Sequence, residues 1–186
     1  MGILILIILF RGGISIMNWI YYIEYNFIIY SFIGWIIEEV YSYIIVGRFK
    51  EDGFLIGPIK PMYGIAMAII ICIFKIYDMG LIEKMIIAFI VPALVEYVSG
   101  YGLKKIFNKV YWSYEGLKYN INGFVCLRFC FYWFVLILFV TKFIVPITDY
   151  IFNKYQLIVS ILVPLITAIV FIDLLYTLKN FFVVQK

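Results

Sequence analysis

Apolar residues gather into five long blocks along the chain, separated by short polar or Gly/Pro-containing stretches. A membrane-spanning helix takes about 20 mainly apolar residues, and the blocks predict five. The first runs from about Tyr25 to Val46 and ends at GRFKEDG. The second covers roughly Met62 to Tyr77, between the Pro58 and Pro61 pair and DMG. A third extends from about Glu83 to Phe107, and the longest polar connection, NKVYWSYEGLKYNING, follows it. The fourth, Phe124 to Val145, stops at Pro146; the fifth, about Leu157 to Leu178, contains Pro164. Membrane helices tolerate such an internal proline with a local kink. The expected fold is therefore all-α, a polytopic integral membrane bundle of about five transmembrane helices.

No long linker or low-complexity tract interrupts the blocks, so residues 18–186 read as one membrane domain. Residues 1–17 read as a short hydrophobic extension. Its apolar run, Ile3 to Phe10, is too short to span, and no basic residue precedes it as in a secretory signal. Met17 is a second candidate start.

Composition agrees with the pattern: 66% of the 186 residues are hydrophobic and 14% charged, against about 45–50% and 25% in a soluble domain. A chain of this size cannot hide that much apolar surface from water. The net charge of +4 is modest, and no basic patch is dense enough for a nucleic-acid backbone. Three cysteines without C-x-x-C spacing give neither a disulfide framework nor a zinc site. The chain has no histidine, the commonest metal ligand. It also has no G-x-x-x-x-G-K-[ST] nucleotide loop. No cofactor or metal is expected.

Five ionisable residues fall inside the expected spans: Glu38, Glu39, Glu96, Arg128 and Asp173. Each costs about 2.5–3.5 kcal/mol at the centre of a spanning helix on insertion scales. Following the alternating helix directions, all five lie in the same half of the bundle. Ser31, Gly34, Glu38 and Ser42 line one helical face, and Glu96, Ser99 and Gly100 line another. Small polar faces of this kind let helices approach closely in lipid. Glu38 is expected to face the interior near Glu96 and Arg128, with Glu39 about 100° round the helix at a helix contact or near the basic loops. Four acids against one arginine call for protonated carboxyls, a cation or a basic group among them.

Two readings stay open from the residues alone. The acids pair with Arg128 or loop lysines and fix helix packing, or they line a polar cavity for a substrate or ion. Ser31, Ser99 and Asn122 join the candidate binding residues. GPIKPMYG, with Pro58, Pro61 and Tyr63, is either a rigid helix start or a re-entrant turn whose backbone lines a cavity. Trp112, Tyr114 and Tyr119 among lysines read as an interfacial anchor. Cys126 and Cys130 read as small hydrophobes sharing a face.

Taken in order, YSFIGWIIEEVYSYI, GFLIGPIKPMYGI and EYVSGYGLKKIF…YWSYE…YNINGFVCL, from Tyr30 to Leu127, resemble the CmpB-like ABC-transporter type IV membrane family. The resemblance implies a small multi-helical permease-like protein. It also implies an arginine at the place of Asp52, a glutamate at Lys104, an aspartate at Ser113 and often an arginine at Phe124. The first two differences reverse sign and the last two remove opposite charges, as two loop salt bridges would require; on that basis Asp52 and Lys104 are expected to pair.

Three functions are compatible with these features. The first is a permease-like or substrate-binding subunit with an acidic, cytoplasm-facing cavity, in which Glu38 and Glu96 contact substrate or ion and Arg128 balances charge. The second is a membrane enzyme acting on a lipid or lipid-linked headgroup, and the third a structural or regulatory subunit. Expected partners are membrane lipids, a small-molecule or lipid substrate, and either further copies or a partner transporter subunit; nucleic acid is not among them.

The first and third expected loops and the tail hold nine Lys and Arg residues, against five on the other side. The positive-inside rule then gives an outside N-terminus and a cytoplasmic C-terminus in the cell membrane. A cysteine placed at Gly116 should resist membrane-impermeant labelling from outside; ready labelling would reverse the orientation.

Overall fold

The computed structural model describes residues 16–50 and 53–184. Asp52 and the apolar run of residues 3–10 lie outside the described residues, and with Asp52 lies its pairing to Lys104. Five helical rods form the bundle among the described residues. They are α1 (Ile16–Val46), α2 (Pro61–Ile76), α3 (Leu81–Phe107), a jointed fourth rod, and a final long helix. The jointed rod consists of α4 (Leu127–Phe139), one wide π turn (Val140–Ile144) and α5 (Val145–Lys154); the last is α6 (Gln156–Val184). Three rods are long and apolar enough to cross a membrane by themselves: Asn18–Val46, Leu127–Lys154 and Gln156–Phe182.

The first helix starts nine residues before Tyr25, and the fourth does not stop at Pro146. Proline has no N–H and its ring crowds the carbonyl four residues back. The π turn absorbs both problems: the Val145 N–H reaches back to Val140 O, and the Thr141 hydroxyl donates to Ile137 O at 2.7 Å. Pro146 thus opens a new α segment within a continuing rod.

α1 is the hub, packing on α2, α5 and α6, while α3 packs on α2 and α4. Tyr22, Tyr25, Ile28 and Tyr30 of α1 meet Met67, Ile70 and Ile71 of α2, Ala88 of α3, Ile137 of α4, Phe152 of α5 and Val163 of α6 in one core. The outer faces carry isoleucine, leucine and phenylalanine in the open, such as Ile44, Ile82, Phe131 and Leu157. That is the inside-out polarity expected of lipid-facing helices.

The Ser31 face of α1 packs directly on α2. Gly64 sits so close that a Cβ there would run into the Ser31 hydroxyl and the Phe27 carbonyl, and one at Gly34 would run into the Tyr63 ring. Close approach through small residues is how helices gain packing energy in lipid.

The chain between α1 and α2 returns into the bundle. Ser31 lies fifteen residues before the end of α1, or about 22 Å at 1.5 Å per residue. Yet the Lys60 N–H, just before α2, donates to Ser31 O at 3.1 Å. The GPIKPMYG segment thus opens α2 at Pro61 and brings that start beside the middle of α1.

Gly64→Val should lower thermal stability by the roughly 1–3 kcal/mol typical of overpacking. Gly102→Ala, whose added Cβ meets nothing within 4 Å, serves as the neutral control. Equal melting temperatures would contradict the tight α1–α2 contact.

Candidate functional site

Two returning loops and four helices, α1 to α4, line a half-open cavity of about 340 Å³. The first loop, residues 47–60, brings its polar groups down along α1. Lys50 and Lys60 both place their ammonium groups on Glu38, Lys60 at 3.2 Å and Lys50 closer still. The Lys50 N–H donates to Glu39 Oε2 at 2.9 Å, so the adjacent carboxylates hold one turn of the loop from two directions. Further along, the N–H groups of Ile56 and Gly57 both donate to Asp173 of α6, at 3.2 and 2.8 Å. A bent segment outside any helix or ladder leaves its N–H groups without regular partners, and here a side-chain carboxylate takes that part.

The second loop, between α3 and α4, behaves alike. Glu96 lies eleven residues before the end of α3, about 16 Å along the helix, yet the Tyr114 hydroxyl donates to its Oε1 at 2.7 Å. Burial, then the neighbouring Glu96 carboxylate, raises the Tyr114 hydroxyl above the ordinary tyrosine range and keeps it a donor. The loop closes with a two-residue ladder, β1 (Asn120–Ile121) against β2 (Val125–Cys126), in which Ile121 pairs with Val125. Phe124 packs over Gly100, where a Cβ would come within 2.8 Å of its ring. The Trp112 indole donates to Phe124 O at 3.0 Å, fixing the tryptophan beside the cavity.

The cavity is lined by Glu38, Lys50, Lys60, Tyr63, Glu96, Ser99, Trp112, Tyr114 and Trp133, with Phe54, Leu103 and Phe107 among its apolar walls. Tyr63 and Trp133 are in ring contact at 5.2 Å. Glu96 is only 3% exposed, and its second oxygen has no hydrogen bond. The Trp133 indole lies close to that carboxylate. At the loop end a more polar opening is lined by Ser42, Arg48, Lys50 and Lys109.

Of the residues singled out in the sequence, Glu38, Glu96, Ser99, Tyr63, Trp112 and Tyr114 meet at this cavity. Glu39 and Ser31 sit behind it and hold the first loop by side chain and carbonyl respectively. Pro61 opens α2 and also lines the cavity, whereas Pro58 is exposed. Three expectations need correction. Arg128 does not join the carboxylates; it is exposed and its Nε donates to Tyr132 at 2.8 Å. Cys130 marks the buried side of α4, and Arg128, two residues before it, lies about 200° away on the helix; Cys126 precedes the helix, in β2. Asn122 is also outside, exposed and bonded to the Tyr97 hydroxyl at 3.0 Å. Trp112 and Tyr114 point inward rather than anchoring at an interface; of that trio only Tyr119 is open, at 78% exposure. Lys104 lies over the Phe124 ring at 5.6 Å.

The sequence reading missed Lys50 and Lys60 as site residues, having counted them as loop charges. It also missed Asp149, which accepts from Tyr22 at 2.5 Å and from Lys75 at 2.8 Å. Pro146 placed Asp149 in a loop, although the rod continues beneath it.

With this geometry in place, the comparison with known families is decisive: the family described as "Putative ABC-transporter type IV" matches residues 25–178. The chain belongs to this CmpB-like family. It is a multi-pass membrane protein of a permease-like class, and the match runs from the middle of α1 to near the end of α6. No curated protein matches the chain, and no solved structure does.

Asp173→Ala leaves the Ile56 and Gly57 N–H groups without their acceptor. Both bonds go to a charged acceptor but are at least partly open to the surroundings, so amide exchange at Ile56 and Gly57 should accelerate several-fold, and less in Asp173→Asn. Unchanged exchange would show that Asp173 does not hold the loop.

Proposed function

We propose that this CmpB-like protein is a permease-like, substrate-binding subunit whose ligand occupies the cavity between α1, α2, α3, α4 and the two returning loops. The observation that carries this reading is the convergence of Glu38 and Glu96, from separate helices, on one cavity with Lys50 and Lys60. Intramembrane ionisable groups mark substrate or ion paths far more often than lipid-facing positions. Glu38 and Glu96 are the ligand contacts, and the two lysines take the charge-balancing role first assigned to Arg128.

The five rods are membrane passes, with the N-terminus outside and the basic loops cytoplasmic. α2 is short because its first half is replaced by the returning loop, and non-helical backbone at depth is tolerated where protein or a cavity covers it. In this orientation the opening lined by Arg48, Lys50 and Lys109 faces the cytoplasm. The sequence carries no G-x-x-x-x-G-K-[ST] loop, so ATP-driven transport would draw on a partner ATP-binding subunit.

Glu38→Gln and Glu96→Gln preserve shape and should keep the melting temperature within a few degrees while lowering occupancy by co-purified ligand about tenfold in native mass spectrometry. Arg128→Gln, outside the cavity, should retain it. Wild-type occupancy in both glutamine variants would sink the assignment.

A further inference from the structure

We infer that the cavity takes a membrane lipid whose headgroup carries a phosphate and a primary ammonium, admitted sideways between α1 and α4. The inference rests on the cavity being the ligand site, and adds the ligand's chemistry and route.

The route comes from a second void of about 520 Å³ that shares Glu38, Lys50, Tyr63, Trp112, Tyr114 and Trp133 with the first. It runs between α1 and α4, two helices that pack closely on others but only sparsely on each other. Ile37 and Tyr41 form one wall, and Phe129, Tyr132 and Leu136 the other. Tyr41 and Tyr132 are each 50% exposed on the outer face of the bundle. A slot of this kind, apolar and open on the side of the rods, suits an acyl chain. A soluble solute gains nothing from it, because its own hydration is lost against apolar walls.

The headgroup follows from the charges at the inner end. Lys50 and Lys60 both present ammonium groups at the single carboxylate of Glu38, and two N–H-rich cations side by side suit a phosphate. Glu96 supplies the opposite pole. Its Oε1 is taken by Tyr114, while Oε2 has no hydrogen bond among the described residues, although Glu96 is 3% exposed. A buried carboxylate oxygen without a donor calls for a charge-assisted N–H. A primary ammonium provides that bond, a quaternary ammonium has no N–H to give, and a polyol has no charge. The zwitterion also leaves the net charge of the cavity unchanged, avoiding the cost of adding an uncompensated charge in a low-dielectric site.

The test uses the purified full chain in native mass spectrometry. It is titrated with phosphatidylethanolamine, phosphatidylcholine and phosphatidylglycerol of identical acyl chains, and with soluble glycerophosphoethanolamine. Phosphatidylethanolamine should bind about tenfold more tightly than either other lipid. Glu96→Gln should bring it down to the phosphatidylcholine level. Leu136→Trp, filling the slot from α4, should weaken the lipid and spare the soluble headgroup; Ile37→Trp fills it from α1 should the first variant fold poorly. Equal binding of the three lipids, or a soluble headgroup binding as tightly as the lipid, overturns the inference. So does the absence of lipid binding alongside a co-purified soluble ligand that depends on Glu38, a result that leaves the cavity itself standing as the site. Loss of any dependence on both Glu38 and Glu96 removes the site reading together with the lipid.

Discussion

A backbone that leaves its helix inside an apolar bundle must still find a partner for every N–H and C=O. The rest of this structure depends on how that requirement is met between Gly53 and Lys60. Asp173 accepts from Ile56 and Gly57, and Ser31 O accepts from Lys60. With those groups satisfied, the chain can run back along α1 and start α2 at mid-height. The space that a full-length second helix would have filled becomes available to side chains and to a cavity.

The charges serve the same geometry. Glu38, Glu39, Glu96 and Asp173 each find donors of a different kind: two ammonium groups, one loop N–H, one phenol, and a pair of backbone N–H groups. Among the described residues most of these donors come from a returning loop; the Thr177 hydroxyl, one turn from Asp173, and the Trp133 indole beside Glu96 come from helices. Buried ion pairs are weak sources of stability when compared with apolar packing. Their clearer consequence here is registration, since the loops can dock at only one height on the helices.

Much of this was legible in the residues. The apolar blocks locate the five rods, three of which are long and apolar enough to cross a membrane, and the Ser31–Gly34 spacing marks the face that receives α2. Glu38 and Glu96 stand out because a carboxylate in such a block is costly. What escaped depends on tertiary contacts that leave little local trace. Lys50 and Lys60 look like ordinary loop lysines until the loop is seen to turn inward. Pro146 carries the usual signature of a helix end, and the π turn that lets the rod continue involves residues with no distinctive pattern, Val140–Ile144. Arg128 was misplaced by depth alone; its angular position relative to Cys130 was the available signal.

In the membrane orientation proposed above, the returning loop also changes the electrical profile of the membrane. Glu38 lies eight residues from the end of α1, about 12 Å inward, out of a hydrocarbon thickness of about 30 Å. Where charged side chains and polar backbone replace hydrocarbon, the voltage falls little. Most of the drop, worth about 2.3 kcal/mol per elementary charge at 100 mV, is compressed into the remaining layer of roughly 18 Å. The local field there rises by about two thirds, in inverse proportion to the thinned layer. In that orientation a charged group beside Glu38 sits nearer the potential of the adjacent solution, and most of the electrical work of crossing falls in the part of the bundle beyond it.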